Sequence, residues 1–101
     1  MNPPKRVDIS DRAKNDLAEI LAYLEGHSPR AAAALSDTLE GAILRLGDYP
    51  ELGRARPEYG QALRTLVCQN YIIFYSFDAA AVLVLRVLDG RMDIEAQLDR
   101  E

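Results

Sequence analysis

With 101 residues, 49% of them hydrophobic and 28% charged, the chain has the length for one two-layer core and is too apolar for a disordered segment. The formal net charge of −4 has the wrong sign for a domain that lives by gripping phosphates, and no apolar run reaches the roughly 18 residues of a membrane span. A single cysteine, Cys68, excludes an internal disulfide and any Cys-rich zinc site.

The N-terminus is basic through Lys5 and Arg6, but Val7-Asp8-Ile9-Ser10-Asp11 follows where a signal peptide would carry its apolar core. The protein is therefore expected in the cytoplasm, as one domain over residues 1–101. Lys5 to Ser10 alternates polar and apolar residues and predicts a short first strand with one face buried. Ser10 or Asp11 then caps a helix whose apolar stripe is Ala13, Leu17, Ile20, Leu21 and Leu24. Gly26 is expected to close it in the left-handed conformation.

Ser28-Pro29 starts a second helix at once, a capping hydroxyl followed by a proline at the first helical position. Its stripe is Leu35, Leu39, Ala42, Ile43 and Leu46, and Gly47 with Pro50 is expected to end it. So few residues separate the two helices that they form an antiparallel hairpin. A loop rich in Pro and Gly spans Tyr49–Ala62 and carries Arg54 and Arg56; with Arg64 they make a cationic stretch in an acidic chain.

Three strands follow: Leu63–Val67, Tyr71–Tyr75 and Val82–Leu88. Gln69-Asn70 turns between the first two and Asp78-Ala79-Ala80 between the next two; at the first turn Asn is the residue that tolerates positive φ. The last strand is apolar on both faces except for Arg86, which places it centrally. Asp93–Leu98 has the pattern for one or two helical turns. The expected fold is α+β, in the order β-α-α-β-β-β, with the helical hairpin on one face of a mostly antiparallel sheet and the other face open. Its core is Leu17, Leu21, Leu24, Leu39, Ile43, Phe74, Val84 and Leu85. Alternation puts Ile72 and Phe74 on one face of the middle strand and Tyr71, Ile73 and Tyr75 on the other. With the helices over Phe74, the tyrosines line the open face and offer amphipathic rings to a protein partner.

Few residues carry the pattern of a reaction centre. His27, the one histidine, reads as a turn residue between helices. Cys68 lies at a strand end with no base in its vicinity and reads as a small packing residue. Asp89 and Asp93 have no known ligand spacing, so no metal and no cofactor are expected. Arg86 is costly to bury unless paired, which favours a structural ion pair over a place on the concave face. Arg64 faces either a partner or a carboxylate such as Glu58.

The four segments Pro50-Glu51-Leu52-Gly53-Arg54, Leu63-Arg64-Thr65-Leu66-Val67, Tyr71-Ile72-Ile73-Phe74-Tyr75 and Leu85-Arg86-Val87-Leu88-Asp89-Gly90 occur in that order. The series resembles the ParE branch of the RelE/ParE toxins, the toxin halves of bacterial type II toxin–antitoxin pairs. The resemblance runs from Asp11 to about Asp93. It implies an inhibitor of DNA gyrase that works by protein–protein binding, traps the enzyme on cleaved DNA and is neutralised by a ParD-like antitoxin. The acidic balance and the lack of a spanning apolar run predict no direct binding of nucleic acid by the isolated chain and no membrane association. The expected contact residues are Arg54, Arg56, Arg64, Tyr71, Tyr75, Arg86 and Arg91. RelE-type relatives are similar to ribosome-dependent ribonucleases, with a Tyr or His near the C-terminal end for proton transfer. From Asp89 to Leu98 this chain has neither, and Asp89 itself stands where many ParE-like sequences carry a His. A relative that binds an antitoxin without poisoning anything is the third reading.

Overall fold

The computed structural model describes residues 3–99; Met1 and Asn2 of the basic start, and Arg100 and Glu101, lie outside the described residues. Strand β1 (Arg6–Ile9) leads into helix α1 (Asp11–Glu25) and helix α2 (Pro29–Asp48). Strands β2 (Arg54–Ala55), β3 (Arg64–Cys68), β4 (Tyr71–Phe77) and β5 (Ala81–Asp89) follow, and helix α3 (Ile94–Asp99) closes the chain. The five strands form one sheet in the order β1-β5-β4-β3-β2, antiparallel except where β1 joins β5 in parallel. The expected order of elements is thus present, with β2 added from within the stretch read as loop.

Each helix starts where capping chemistry puts it. Ser10 accepts from the Ala13 N–H at 3.0 Å and Ser28 from the Ala31 N–H at 3.2 Å, each satisfying an amide that the first helical turn leaves open. Ser10 also gives its own N–H to the Val84 carbonyl, so one residue ends β1 in the sheet and begins α1. Gly26 stays right-handed, with φ −63°, against the expectation of a left-handed cap. Gly47 does not stop α2 but lies inside it. A Cβ there would stand 2.7 Å from the Lys5 carbonyl oxygen, so glycine is required for α2 to pass this close to the start of β1.

The core lies between the helical hairpin and one face of the sheet. Leu35, Leu39, Ile43 and Leu46 of α2 and Ala13 of α1 meet Ile73, Tyr75, Val82, Val84 and Val87. Leu17, Leu21 and Leu24 pack against this cluster while half-buried. The sidedness of β4 is the reverse of the sequence reading. Tyr71, Ile73, Tyr75 and Phe77 turn toward the helices, so the tyrosines do not line the far face. Phe74 points to that far face and is still only 2% exposed. The reason is that the far face is not bare: Tyr59 meets the Phe74 ring edge-on at 5.6 Å. Opposite the Phe74/Tyr75 step the β4–β5 register slips, leaving Leu85 as an extra, half-buried residue in β5.

The buried hydroxyl of Tyr75 ties the loop after α2 to the sheet. It donates to the Pro50 carbonyl at 2.7 Å and accepts from the Gly53 N–H at 2.8 Å. Arg64 donates to the Gly53 carbonyl at 2.7 Å, and its guanidinium lies 5.8 Å from the Phe77 ring centre. A Cβ on Gly53 would be 2.6 Å from the Thr65 carbonyl oxygen and 2.7 Å from the tyrosine ring, so no other residue fits. Tyr75→Phe keeps the packing and strands two buried polar groups, which should cost about 1–3 kcal/mol in urea unfolding. Phe74→Ala should cost about 3–5 kcal/mol by the same measurement.

Candidate partner-binding surface

Strand β5 has nine residues and β1 has four, so β5 runs on past the end of its neighbour. The exposed edge of Leu85–Asp89 would leave main-chain groups unpaired, and three polar side chains bond to groups along it. The Ser10 hydroxyl donates to the Leu85 carbonyl at 3.0 Å. Asp16 of α1 accepts from the Val87 N–H at 3.0 Å. The Gln97 amide of α3 accepts from the Asp89 N–H at 3.1 Å and donates to the Asp89 carbonyl at 3.0 Å, the two bonds a neighbouring strand would make.

Arg86 completes the arrangement. It meets Asp16 through two nitrogens, at 2.8 and 3.1 Å, with both side chains nearly nine-tenths buried, and reaches the Gln97 main-chain carbonyl at 3.4 Å. The interruption in the apolar strand is therefore a structural ion pair, and Arg86 is withdrawn from the surface as a contact residue. Tyr75 is withdrawn for a different reason: it is fully buried, with its hydroxyl engaged at both ends. Arg64 is not paired with Glu58, which takes Arg56 at 3.2 Å; Arg64 serves the Gly53 loop.

The remaining expected contacts fall into two groups. Tyr71 and Arg91 meet in a cleft of about 900 Å³ where the helical hairpin diverges from the end of the sheet. Ile20, Leu24, Leu35 and Val87 give it an apolar floor, and Tyr23, His27, Asn70 and Met92 stand around it. Arg91 bonds the Asp89 carboxylate at 2.9 and 3.0 Å, and this partner holds the Asp89 carboxyl below the usual carboxylate range. Arg54 and Arg56 lie on the far face, where Arg56 reaches Thr65 and lies 5.7 Å from the Tyr59 ring centre. The sequence reading missed Tyr23, which is 72% exposed on the cleft rim. The available signal was an aromatic residue lying off the apolar stripe of its helix.

His27 sits on the α1–α2 turn, its Nδ1 3.0 Å from the Tyr23 carbonyl oxygen and its ring 4.7 Å from the Tyr23 ring. Burial pushes the Cys68 thiol up, away from the thiolate a nucleophile needs. Among the described residues no group of three or more His, Cys, Asp or Glu is placed to hold a metal ion, and no helix is long and apolar enough to cross a membrane.

Two outcomes follow from the ion pairs. Arg86→Ala leaves Asp16 buried and uncompensated and should cost about 3–5 kcal/mol in chemical denaturation. Asp89 has a lowered folded-state pKa, so its stabilising share is present above the unfolded carboxylate value near about 3.9 and is lost as pH falls through the folded one. Asp89→Asn should accordingly lower the melting temperature at neutral pH, and the difference from the parent should shrink in acid.

Comparison with known proteins fits this architecture. The family described as "ParE toxin of type II toxin-antitoxin system, parDE" matches residues 7–94. Toxin ParE3 of Caulobacter vibrioides is 34% identical over 76% of this chain and 77% of its own. Toxin RelE1 of the same organism is 32% identical over 81% of this chain and 89% of its own. Among solved structures, the chromosomal ParDE system of P. aeruginosa shares the fold with a TM-score of 0.71 at 18% identity, covering 84% of this chain and 95% of that one. The RelBE2 toxin–antitoxin complex of Mycobacterium tuberculosis does so with a TM-score of 0.61 at 24% identity, over 86% and 99%. With its helical hairpin on a five-stranded sheet and a matching profile over residues 7–94, the chain belongs to the ParE family, within the RelE/ParE superfamily of type II toxins.

Proposed function

We propose that this toxin acts in the cytoplasm as a protein-binding inhibitor of DNA gyrase, without a catalytic step, and that a ParD-like antitoxin neutralises it. The observation that carries the reading is the engagement of four arginines of the sheet and the segments beside it. Cleavage of RNA through a 2′-hydroxyl needs a proton acceptor beside cations free to stabilise the phosphorane. Arg64 serves Gly53, Arg86 serves Asp16, Arg91 serves Asp89 and Arg56 serves Glu58. The residues from Asp89 to Leu98 include neither Tyr nor His, and a carboxylate stands at the end of β5. The nearer of the two curated relatives by identity is a ParE toxin, which favours gyrase over the ribosome.

The antitoxin is assigned to the cleft beside the hairpin. Its apolar floor and the exposed Tyr23 and Met92 on its rim are the kind of patch that a lone small protein rarely leaves uncovered. A partner disordered on its own would fold onto such a surface. Arg54, on the opposite face, is left for the target or for an acidic extension of the antitoxin.

Expression of the chain in bacteria, alone and with the antitoxin encoded beside it, tests this reading. Growth should arrest without the antitoxin and resume with it. His27→Ala and Cys68→Ala should remain as toxic as the parent, since neither side chain has a catalytic partner. Loss of toxicity in His27→Ala, in a protein that still melts normally and still binds antitoxin, would return the ribonuclease reading to first place.

A further inference from the structure

The far face of the sheet carries an aromatic site that the chain fills with its own loop. Phe74 is 2% exposed although it points away from the helical hairpin. Its cover is Tyr59, from the segment between β2 and β3, whose ring stands edge-on at 5.6 Å with 71° between the planes. The Arg56 guanidinium lies 5.7 Å from the centre of the Tyr59 ring and pairs with the Glu58 carboxylate at 3.2 Å. Its Nε donates to the Thr65 hydroxyl at 3.3 Å. Arg54 pairs across the sheet with Thr65, and Thr65 with Phe74, so the three share this face. Among the described residues Arg54 has no carboxylate partner.

The loop is lightly held. Among the described residues, the hydrogen bonds of residues 57–62 run to Arg56 or to Leu63, and none reaches the rest of the sheet. Ala62 takes a φ of 62°, a conformation costly to any residue with a Cβ. The Arg56–Glu58 pair is exposed, and such pairs add little. What keeps the loop down is therefore mainly the contact of one ring with another. Two adjacent side chains, a carboxylate on Arg56 and an aromatic ring on Phe74, occupy the place as a bound dipeptide would.

We propose that this face is a docking site for a segment of the target that carries a carboxylate next to an aromatic ring, and that Glu58 and Tyr59 fill it in the free toxin. On docking, the partner's ring replaces Tyr59 on Phe74 and its carboxylate replaces Glu58 on Arg56, with Arg54 beside it as a second cation. The loop is thus an internal competitor: the toxin binds only in the fraction of molecules in which it has lifted. A nucleic acid is a poorer occupant. A phosphate backbone needs a row of free cations, and here Arg56 already carries Glu58 in a chain of net charge −4. The assignment rests on the gyrase reading above and gives the target a surface separate from the antitoxin's cleft.

The test uses the full chain. It measures the concentration that halves supercoiling by purified DNA gyrase, and the affinity for the antitoxin encoded beside the toxin. Glu58→Gln and Tyr59→Ala remove the competitor, and each should lower that concentration about fivefold. Arg54→Ala should raise it about tenfold. Antitoxin affinity should stay at the parent's value in all three. A tyrosine that merely covered Phe74 would shift the melting temperature without improving inhibition, so the gain is particular to a self-occupied site. If Glu58→Gln and Tyr59→Ala inhibit no better than the parent, the self-occupied site is wrong and the gyrase reading stands. If they tighten antitoxin binding instead, the site belongs to the antitoxin and its assignment to the target is overturned. If Tyr59→Ala fails to fold, Glu58→Gln and Arg54→Ala decide. If the parent leaves gyrase unimpaired, the gyrase reading itself fails, and this assignment with it.

Discussion

A strand of nine residues beside a strand of four leaves half of β5 without a neighbour on the β1 side, and much of the molecule follows from how that edge is closed. A main-chain donor left unpaired away from water costs as much as a lost hydrogen bond. Ser10, Asp16 and Gln97 pay that cost with side chains in place of a sixth strand. Asp16 fixes where α1 crosses the sheet, and burying its charge brings in Arg86. Gln97 fixes α3, a six-residue helix too short to be stable on its own. Asp16, Val87, Asp89 and Gln97 also line the cleft, so the clamp on the β5 edge forms part of its wall.

The residues that carry the family resemblance are, for the most part, engaged in holding the fold. Pro50 and Gly53 come from the first signature segment, Arg64 from the second and Tyr75 from the third, and all four meet in one hydrogen-bonded knot. Arg86 of the fourth segment is half of the buried ion pair. Such a signature marks a fold that can be built only one way, because Gly53 has no room for a side chain and Tyr75 no room for a lost hydroxyl. On the proposed reading, partner contacts fall to surfaces outside it, the cleft rim and Arg54 on the far face.

Helix starts, the hairpin and the order of elements were legible in the sequence because each has a local cause: Ser10 and Ser28 at the caps, proline at position 29, apolar stripes of helical period. Which face of β4 the helices cover was not legible. Both faces of Tyr71–Phe77 carry large apolar side chains, so alternation alone assigns no inside, and the outcome depends on Tyr75 reaching a loop more than twenty residues earlier in the chain. Gln69 rather than Asn70 takes the positive φ of the β3–β4 turn, and Ala62 takes another, positions where residue preference gave no warning. The pairing of Arg86 followed from the cost of a buried charge, but its partner 70 residues away could come only from the fold. Of the seven expected contact residues, Tyr71 and Arg91 share a surface, Arg54 and Arg56 share another, and Arg64, Tyr75 and Arg86 hold the structure together.

On the proposed reading this toxin works by binding, with Arg56, Arg64, Arg86 and Arg91 engaged in its own structure. The most direct measurement adds the purified toxin to purified DNA gyrase and relaxed plasmid, with a parallel reaction on translating ribosomes. Supercoiling should fall and protein-linked cleaved DNA should accumulate with toxin concentration, reversibly on addition of antitoxin, while the ribosomal mRNA stays intact. Cleaved mRNA together with unimpaired supercoiling would contradict the account.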